Sequence, residues 1–108
     1  MATLRVLTEC GENYKYQGPR FIKLGPDSGE EFRDKHLIPW LKKNKNAEHL
    51  TVDFEGTVVY TPSFLEESFG GAIRKGHEEV RTIEFLNMPP DEKYKLQKYI
   101  QNAKREKK

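Results

Sequence analysis

The stretch from Val52 to Gly76, VDFEGTVVYTPSFLEESFGGAIRKG, constrains the fold of this chain more than any other part of it. The strand-like segment HLTVDFEG begins just before it, with apolar residues alternating so that Leu50, Val52 and Phe54 share one face. Beyond a short loop, apolar residues at helical spacing predict an amphipathic helix through Leu65, Phe69, Ala72 and Ile73. A strand that leads directly into such a helix is typical of α/β proteins.

The start of this helix can form in two ways. Thr61 can be the N-cap with Pro62 in the first helical position, where the missing N–H of proline costs nothing. Alternatively, Ser63 is the N-cap and Glu66 closes a capping box. A hydroxyl here is either a structural cap worth about 1 kcal/mol or a phosphorylation site that would gain about −1.5 to −2 charge.

Two adjacent glycines, Gly70 and Gly71, lie inside the same helix. Together they cost on the order of 2 kcal/mol relative to two alanines, so their presence needs a reason. One interpretation is close packing of the helix onto the sheet. The other is a surface that another backbone must approach closely.

Three further segments have strand-like patterns: TLRVLTE near the N-terminus, RFIKLG after the turn-rich CGENYKYQGP, and EVRTIEFLN after the glycine-containing helix. The first two predict an N-terminal hairpin or meander. Two further helices are expected. One starts at Ser28 with Glu31 closing a capping box, and Pro39 should kink it or end it early. The other begins at Pro89 and Pro90.

The order β, β, α, β, α, β, α predicts an α/β fold with right-handed crossovers. We expect a mixed sheet of about four strands, mostly parallel after the first hairpin, with about three helices mainly on one side. Residues 1–103 should form a single domain, followed by a basic C-terminal tail at 104–108.

Composition excludes several functional classes. The formal net charge of +2 is too small for a dedicated nucleic-acid-binding protein. No apolar run approaches the length of a membrane span, so we expect no membrane partner and a cytoplasmic location. The single Cys10 excludes an internal disulfide and a cysteine-based zinc site.

The sequence contains no recognisable catalytic set. His36, His49 and His77 lack metal-ligand spacing, and Cys10 has no evident base nearby. Neighbouring glutamates on a helix point in different directions, which makes them poor acid–base pairs. We therefore expect a protein that is not an enzyme and that has no cofactor and no metal.

Two other functions remain open. A nucleic-acid-binding accessory protein would use the aromatic and basic hairpin Tyr14–Arg20 together with the tail Lys104–Lys108. An enzyme would need the fold to bring polar groups together, most plausibly Asp53 with Ser63 in one pocket.

Three motifs, SGEEFR, VDFEG and TPSFLEESFGG, resemble a bacterial and phage-associated group of STAS-like domains of undetermined function. This group is related to the anti-sigma-factor antagonists, and the resemblance covers roughly residues 19 to 86. It implies a sheet with helices on one side and a regulatory protein–protein interaction. In the antagonists, a histidine-kinase-like ATPase phosphorylates a hydroxyl residue at a helix start, and the unphosphorylated face binds that ATPase.

In this resemblance, Ser63 falls on the phosphorylated hydroxyl and Thr61 falls where an aspartate usually precedes it. The antagonists usually read Asp-Ser-Ser-Gly, whereas this chain reads Thr-Pro-Ser-Phe. Partner binding therefore follows more directly from the resemblance than phosphorylation does. The implied partner is a histidine-kinase-like ATPase or another sigma regulator, bound by a monomer or weak dimer.

The predicted partner-binding surface is the start of the helix over 62–75, with its hydroxyl and carboxylate side chains exposed. Its members are Thr61, Pro62, Ser63, Phe64, Glu66, Glu67, Gly70 and Gly71.

Overall fold

A computed structural model describes residues 2–104 and contains one sheet of three parallel strands. The strands are β1 (Ala2–Arg5), β2 (Leu50–Asp53) and β3 (Glu84–Leu86), in the order β1-β2-β3. Leu4 lies opposite Val52, and Val52 lies opposite Phe85. The predicted α/β fold is confirmed, and the sheet is parallel throughout these strands.

Three longer helices connect and flank the strands: α1 over 29–43, α2 over 62–74 and α3 over Pro90–Asn102. Each of the first two has a wider π-helical turn in its middle, at Arg33–Leu37 in α1 and Glu66–Gly70 in α2. Short helical turns occupy Val6–Cys10, Glu12–Lys15, Ile22–Leu24 and Glu78–Thr82.

The expected fourth strand and its hairpin are not found in residues 2–104. The segment RFIKLG instead belongs to a loop with a 3₁₀ turn at Ile22–Leu24. The backbone N–H of Gly18 donates to the carbonyl of Asp27 (2.9 Å), which brings the two ends of this loop together. All three residues of the turn are exposed, so their alternation reflects no buried face. A period of two over so few residues does not distinguish a strand from such a loop.

One face of the sheet is buried and the other is open. The buried face carries Ala2, Leu4, Leu50, Val52 and Phe85. Helix α2 packs on it through Phe69, whose ring lies 5.2 Å from that of Phe85 and 6.2 Å from that of Phe54, centre to centre. On the open face, Arg5, Glu84 and Leu86 are exposed.

Pro39 does not end α1 early, because the helix continues to Lys43. The π-helical turn lies immediately before it, with the N–H of Ile38 donating to the carbonyl of Arg33. Proline lacks an N–H, and its ring clashes with the carbonyl four residues earlier in a regular helix. A wider turn at this place relieves both problems.

Both helix starts follow local capping rules. The Ser28 hydroxyl accepts a hydrogen bond from the N–H of Glu31 (3.0 Å), as predicted. At the start of α2, Thr61 is the N-cap and Pro62 occupies the first helical turn, which is the first of the two alternatives. The Thr61 hydroxyl does not cap the helix, because it donates to the carbonyl of Gln17 instead (2.9 Å).

The start of α1 crosses directly over α2 at Gly29. A β-carbon at this position would lie 2.5 Å from the carbonyl oxygen of Phe64 and 2.9 Å from its Cα. Only glycine allows the two backbones this approach, so the motif SGEEF is fixed by the crossing as well as by the cap.

We predict that Gly29→Ala lowers the free energy of unfolding by about 1–3 kcal/mol, because the added methyl group meets rigid backbone. Urea denaturation followed by circular dichroism measures this. Gly70→Ala is the matched control. There an added methyl group meets the end of the Glu66 side chain, and about 1 kcal/mol of helix propensity is gained. Equal losses in the two variants would contradict the crossing argument.

Candidate functional site

The loop that precedes α2 lies against residues 15–17. The carbonyl of Lys15 accepts hydrogen bonds from the N–H groups of Val58 (2.8 Å) and Val59 (3.1 Å). The N–H of Gln17 donates to the carbonyl of Val59 (3.1 Å), and Tyr16 pairs with Val59 in a parallel bridge. Two segments that are distant in sequence therefore form one surface beside the start of α2.

Gln17 fixes the residue that begins α2. Its side-chain oxygen accepts a hydrogen bond from the N–H of Thr61 (2.8 Å), and its carbonyl accepts one from the Thr61 hydroxyl. Gln17 is buried, so these bonds are shielded from water. Thr61 and Gln17 together thus hold the helix start in place.

Three large apolar side chains on these segments are exposed: Tyr16, Val58 and Val59. Pro62 is exposed as well, and Ser63 is half-buried. We call these five residues the α2-start surface. An exposed apolar cluster of this kind is typical of a contact site for another molecule.

Ser63 occupies the second position of α2. Within residues 2–104, its hydroxyl makes no hydrogen bond to another residue, and it does not cap the helix. The structural role predicted for this hydroxyl therefore belongs to Thr61 and Gln17, and Ser63 is left without one.

Three arginines and two glutamates meet on the first turns of α2. Glu66 accepts hydrogen bonds from Arg20 and Arg74, both at 2.6 Å. Glu67 pairs with Arg33 and with Arg20, the latter at 3.1 Å. We call these five residues the arginine–glutamate network. It joins α1 and the loop before α1 to α2.

The network is charged although it is largely shielded from solvent. The side chains of Arg33 and Glu67 are only 6% and 12% exposed. Burial acts to raise the pKa of Glu66, but hydrogen bonds from Arg74 and Arg20 outweigh it and the pKa is lowered. Burial acts to lower the pKa of Arg33, but Asp34 and Glu67 outweigh it and the pKa is raised. Glu66 and Arg33 therefore remain ionised at neutral pH.

The network accounts for the two glycines of α2. A β-carbon on Gly70 would lie 2.6 Å from a carboxylate oxygen of Glu66, and one on Gly71 would lie 2.8 Å from Nη1 of Arg33. Both glycines are buried. Side chains of this same chain thus fill the space beside the two glycines, where the sequence allowed either packing against the sheet or the approach of a partner's backbone.

The predicted partner-binding residues differ in their exposure. Pro62 is exposed, and Thr61, Ser63 and Glu66 are half-buried. Phe64 is fully buried and Glu67 nearly so, which differs from the exposure expected of Glu67. Val58 and Val59 could not be assigned to a binding surface from the sequence, because a short apolar run such as VVY does not show whether its side chains are buried.

Tyr14, Arg20 and Asp53, on which the two other functions would depend, have structural partners. Tyr14 is buried, and its hydroxyl donates to Glu31 (3.0 Å), so it offers no stacking face. Of the basic tail, residues 105–108 lie outside the described part of the chain. Asp53 accepts hydrogen bonds from the N–H of Glu55 and from Asn87 Nδ2. Burial raises the pKa of Cys10 to about 12, so this thiol is protonated at neutral pH.

Within residues 2–104, no group of three histidine, cysteine, aspartate or glutamate side chains is arranged to hold a metal ion. None of the helices in that range is both long and apolar enough to cross a membrane.

A protein-family model described as a STAS-like domain of unknown function (DUF4325) matches residues 28–93. The match includes α1, β2, α2 and β3, and therefore most of the site. The chain belongs to this family. Comparisons with curated proteins and with solved structures gave no match. In this STAS-like domain, the family match covers both the Gly29 crossing and the α2 start.

We predict that Arg33→Ala lowers the free energy of unfolding of the STAS-like domain by about 3 kcal/mol, because it leaves the buried Glu67 carboxylate poorly paired. Lys35→Ala is the control on the same helix. Lys35 pairs with Glu31 at 3.3 Å but is 65% exposed, so its loss should cost about 1 kcal/mol or less. Chemical denaturation of both variants tests this. Similar losses in the free energy of unfolding would show that the buried pair contributes no more than the exposed one.

Proposed function

We propose that this STAS-like domain is a non-catalytic interaction module that binds a regulatory protein through the α2-start surface. The observation that carries the proposal is the exposure of Tyr16, Val58 and Val59 beside the start of α2. Large aromatic and aliphatic groups of this kind provide the anchors of protein–protein interfaces. The backbone hydrogen bonds between residues 15–17 and 58–59 hold the anchors in place, so little freedom is lost on binding.

The resemblance to anti-sigma-factor antagonists suggests the partner. In those proteins, the corresponding helix start binds a histidine-kinase-like ATPase, and we propose a partner of that kind or another sigma regulator. We expect the interaction to take place in the cytoplasm of a bacterium, as in the antagonists.

Phosphorylation of Ser63 is the proposed switch. A phosphate would lie at the positive end of α2, which favours negative charge. Glu66 and Glu67 follow one turn later and would repel it. Their carboxylates already pair with arginines, and Arg20, whose side chain is one-third exposed, is placed to offset this repulsion. The phosphate would place a strongly hydrated charge among the apolar groups beside Ser63. Such a charge disfavours an apolar contact with a partner.

The test of the surface uses a partner identified by pull-down from the native host and then purified. Calorimetry with Val59→Asp should show affinity at least tenfold weaker than wild type, because a charge enters the apolar contact. Leu86→Asp is the matched control, since Leu86 is 40% exposed and Val59 is 43% exposed, but Leu86 lies on the open face of the sheet. Equal affinities for the two variants would contradict binding at the α2-start surface.

The test of the switch uses the same partner with Ser63→Asp and Ser63→Ala. The aspartate should weaken binding severalfold, whereas the alanine should leave it nearly unchanged, because only the aspartate adds charge. If both variants bind as wild type does, Ser63 is not a switch, even if the partner binds at the α2-start surface.

A further inference from the structure

The loop over 18–27 is firmly attached at its base to the start of α1. The N–H of Gly29 donates to the carbonyl of Pro19 (2.9 Å), and the N–H of Glu30 donates to that of Arg20 (3.0 Å). These carbonyls satisfy N–H groups that have no partner within the helix. The loop is therefore part of the folded unit, and the residues at its tip have defined positions.

The tip of this loop is a single apolar turn, Phe21 to Leu24, which we call the 21–24 turn. Its three large apolar side chains are all exposed, and Leu24 is the most exposed of them at 62%. The turn is closed by a hydrogen bond from the N–H of Leu24 to the carbonyl of Phe21 (2.9 Å). The N–H of Ile22 donates to Oε1 of Glu30 (2.9 Å), which fixes the turn to α1.

A wide, open cavity of about 550 Å³ lies beside the turn and is lined by Phe21, Ile22, Lys23 and Glu30. Its lining combines apolar surface with one cation and one carboxylate. The turn thus carries a protruding apolar side chain, Leu24, next to this open cavity. It also carries opposite charges next to each other.

Such a surface is complementary to itself. In a two-fold symmetric dimer, every contact occurs twice, so one patch must supply both halves of each contact. The 21–24 turn supplies an apolar projection and an apolar cavity, and it supplies Lys23 and Glu30. The Glu30 carboxylate already accepts one hydrogen bond, but it has capacity for further donors.

We propose that a second copy of this chain binds at the 21–24 turn and forms a two-fold symmetric dimer. Leu24 of each protomer enters the cavity of its partner, and Lys23 of each pairs with Glu30 of the partner subunit. The interface is small, so the dimer is weak and forms only at high protein concentration. An anionic membrane fits less well, because Asp27 and Glu30 in and beside the same loop would be repelled by it.

This dimer does not rest on the proposed function. It uses none of the residues of the α2-start surface, so each interaction is tested with its own variants. Loss of the dimer and loss of partner binding are therefore measured with different variants, and each can fail alone.

Sedimentation equilibrium of the full chain over a wide concentration range tests the proposal. The mass should rise from 12.6 kDa towards twice that value as the concentration increases. Leu24→Asp should remain monomeric at every concentration while its thermal unfolding stays as in wild type. Tyr94→Asp is the matched control, because Tyr94 is also 62% exposed but lies on α3. It should dimerise like wild type.

The charge pair is tested by Lys23→Glu, which places carboxylates of the two copies against each other and should raise the dimer dissociation constant at least tenfold. Lys98→Glu, on α3, changes the net charge equally and should have little effect. A wild-type chain that stays monomeric throughout would overturn the proposal, and so would a Leu24→Asp variant that dimerises normally. A monomer whose 21–24 turn binds phosphatidylserine vesicles would also overturn it, in favour of a membrane.

Discussion

The buried ion pair between Arg33 and Glu67 is the interaction on which this structure depends. It lies where α1 crosses α2, close to the contact between Gly29 and Phe64. Two charges taken out of water at this place must be paired, because the desolvation of either one alone is far more costly than the pair. Arg20 then adds the loop before α1 to the same network through its bonds to both glutamates of α2.

The network explains why α2 contains two adjacent glycines although they lower its helix propensity. Gly70 and Gly71 weaken α2 as an isolated helix, and the side chains of Glu66 and Arg33 lie close to where their β-carbons would be. In return, the helix that carries Ser63 is held by ion pairs on one side and by Gln17 on the other. A surface fixed in this way loses little conformational freedom when a partner binds.

The sequence predicted what local rules decide. The cap at Ser28 and the α/β class follow from capping and periodicity, and the observed start of α2 at Thr61 and Pro62 is one of the two alternatives that capping rules left open. The motifs around them identified the family. The features that the sequence did not predict depend on residues far apart in the chain. Glu67 is buried because Arg33, 34 positions earlier, neutralises its charge. The segment RFIKLG resembled a strand because a run of six residues does not show whether one of its faces is buried, and its Ile22–Leu24 part forms an exposed turn.

We infer that the arginine–glutamate network holds the loop, the start of α1 and the start of α2 as one preorganised unit. Amide hydrogen exchange tests this at four N–H groups. Those of Gly29, Glu30 and Thr61 bond between segments, and that of Gly18 closes the loop by donating to the carbonyl of Asp27. If they open as one unit, all four share a common opening free energy, and Arg33→Ala lowers it equally for each. Rapid exchange at Gly18 that is unaffected by Arg33→Ala would contradict this inference.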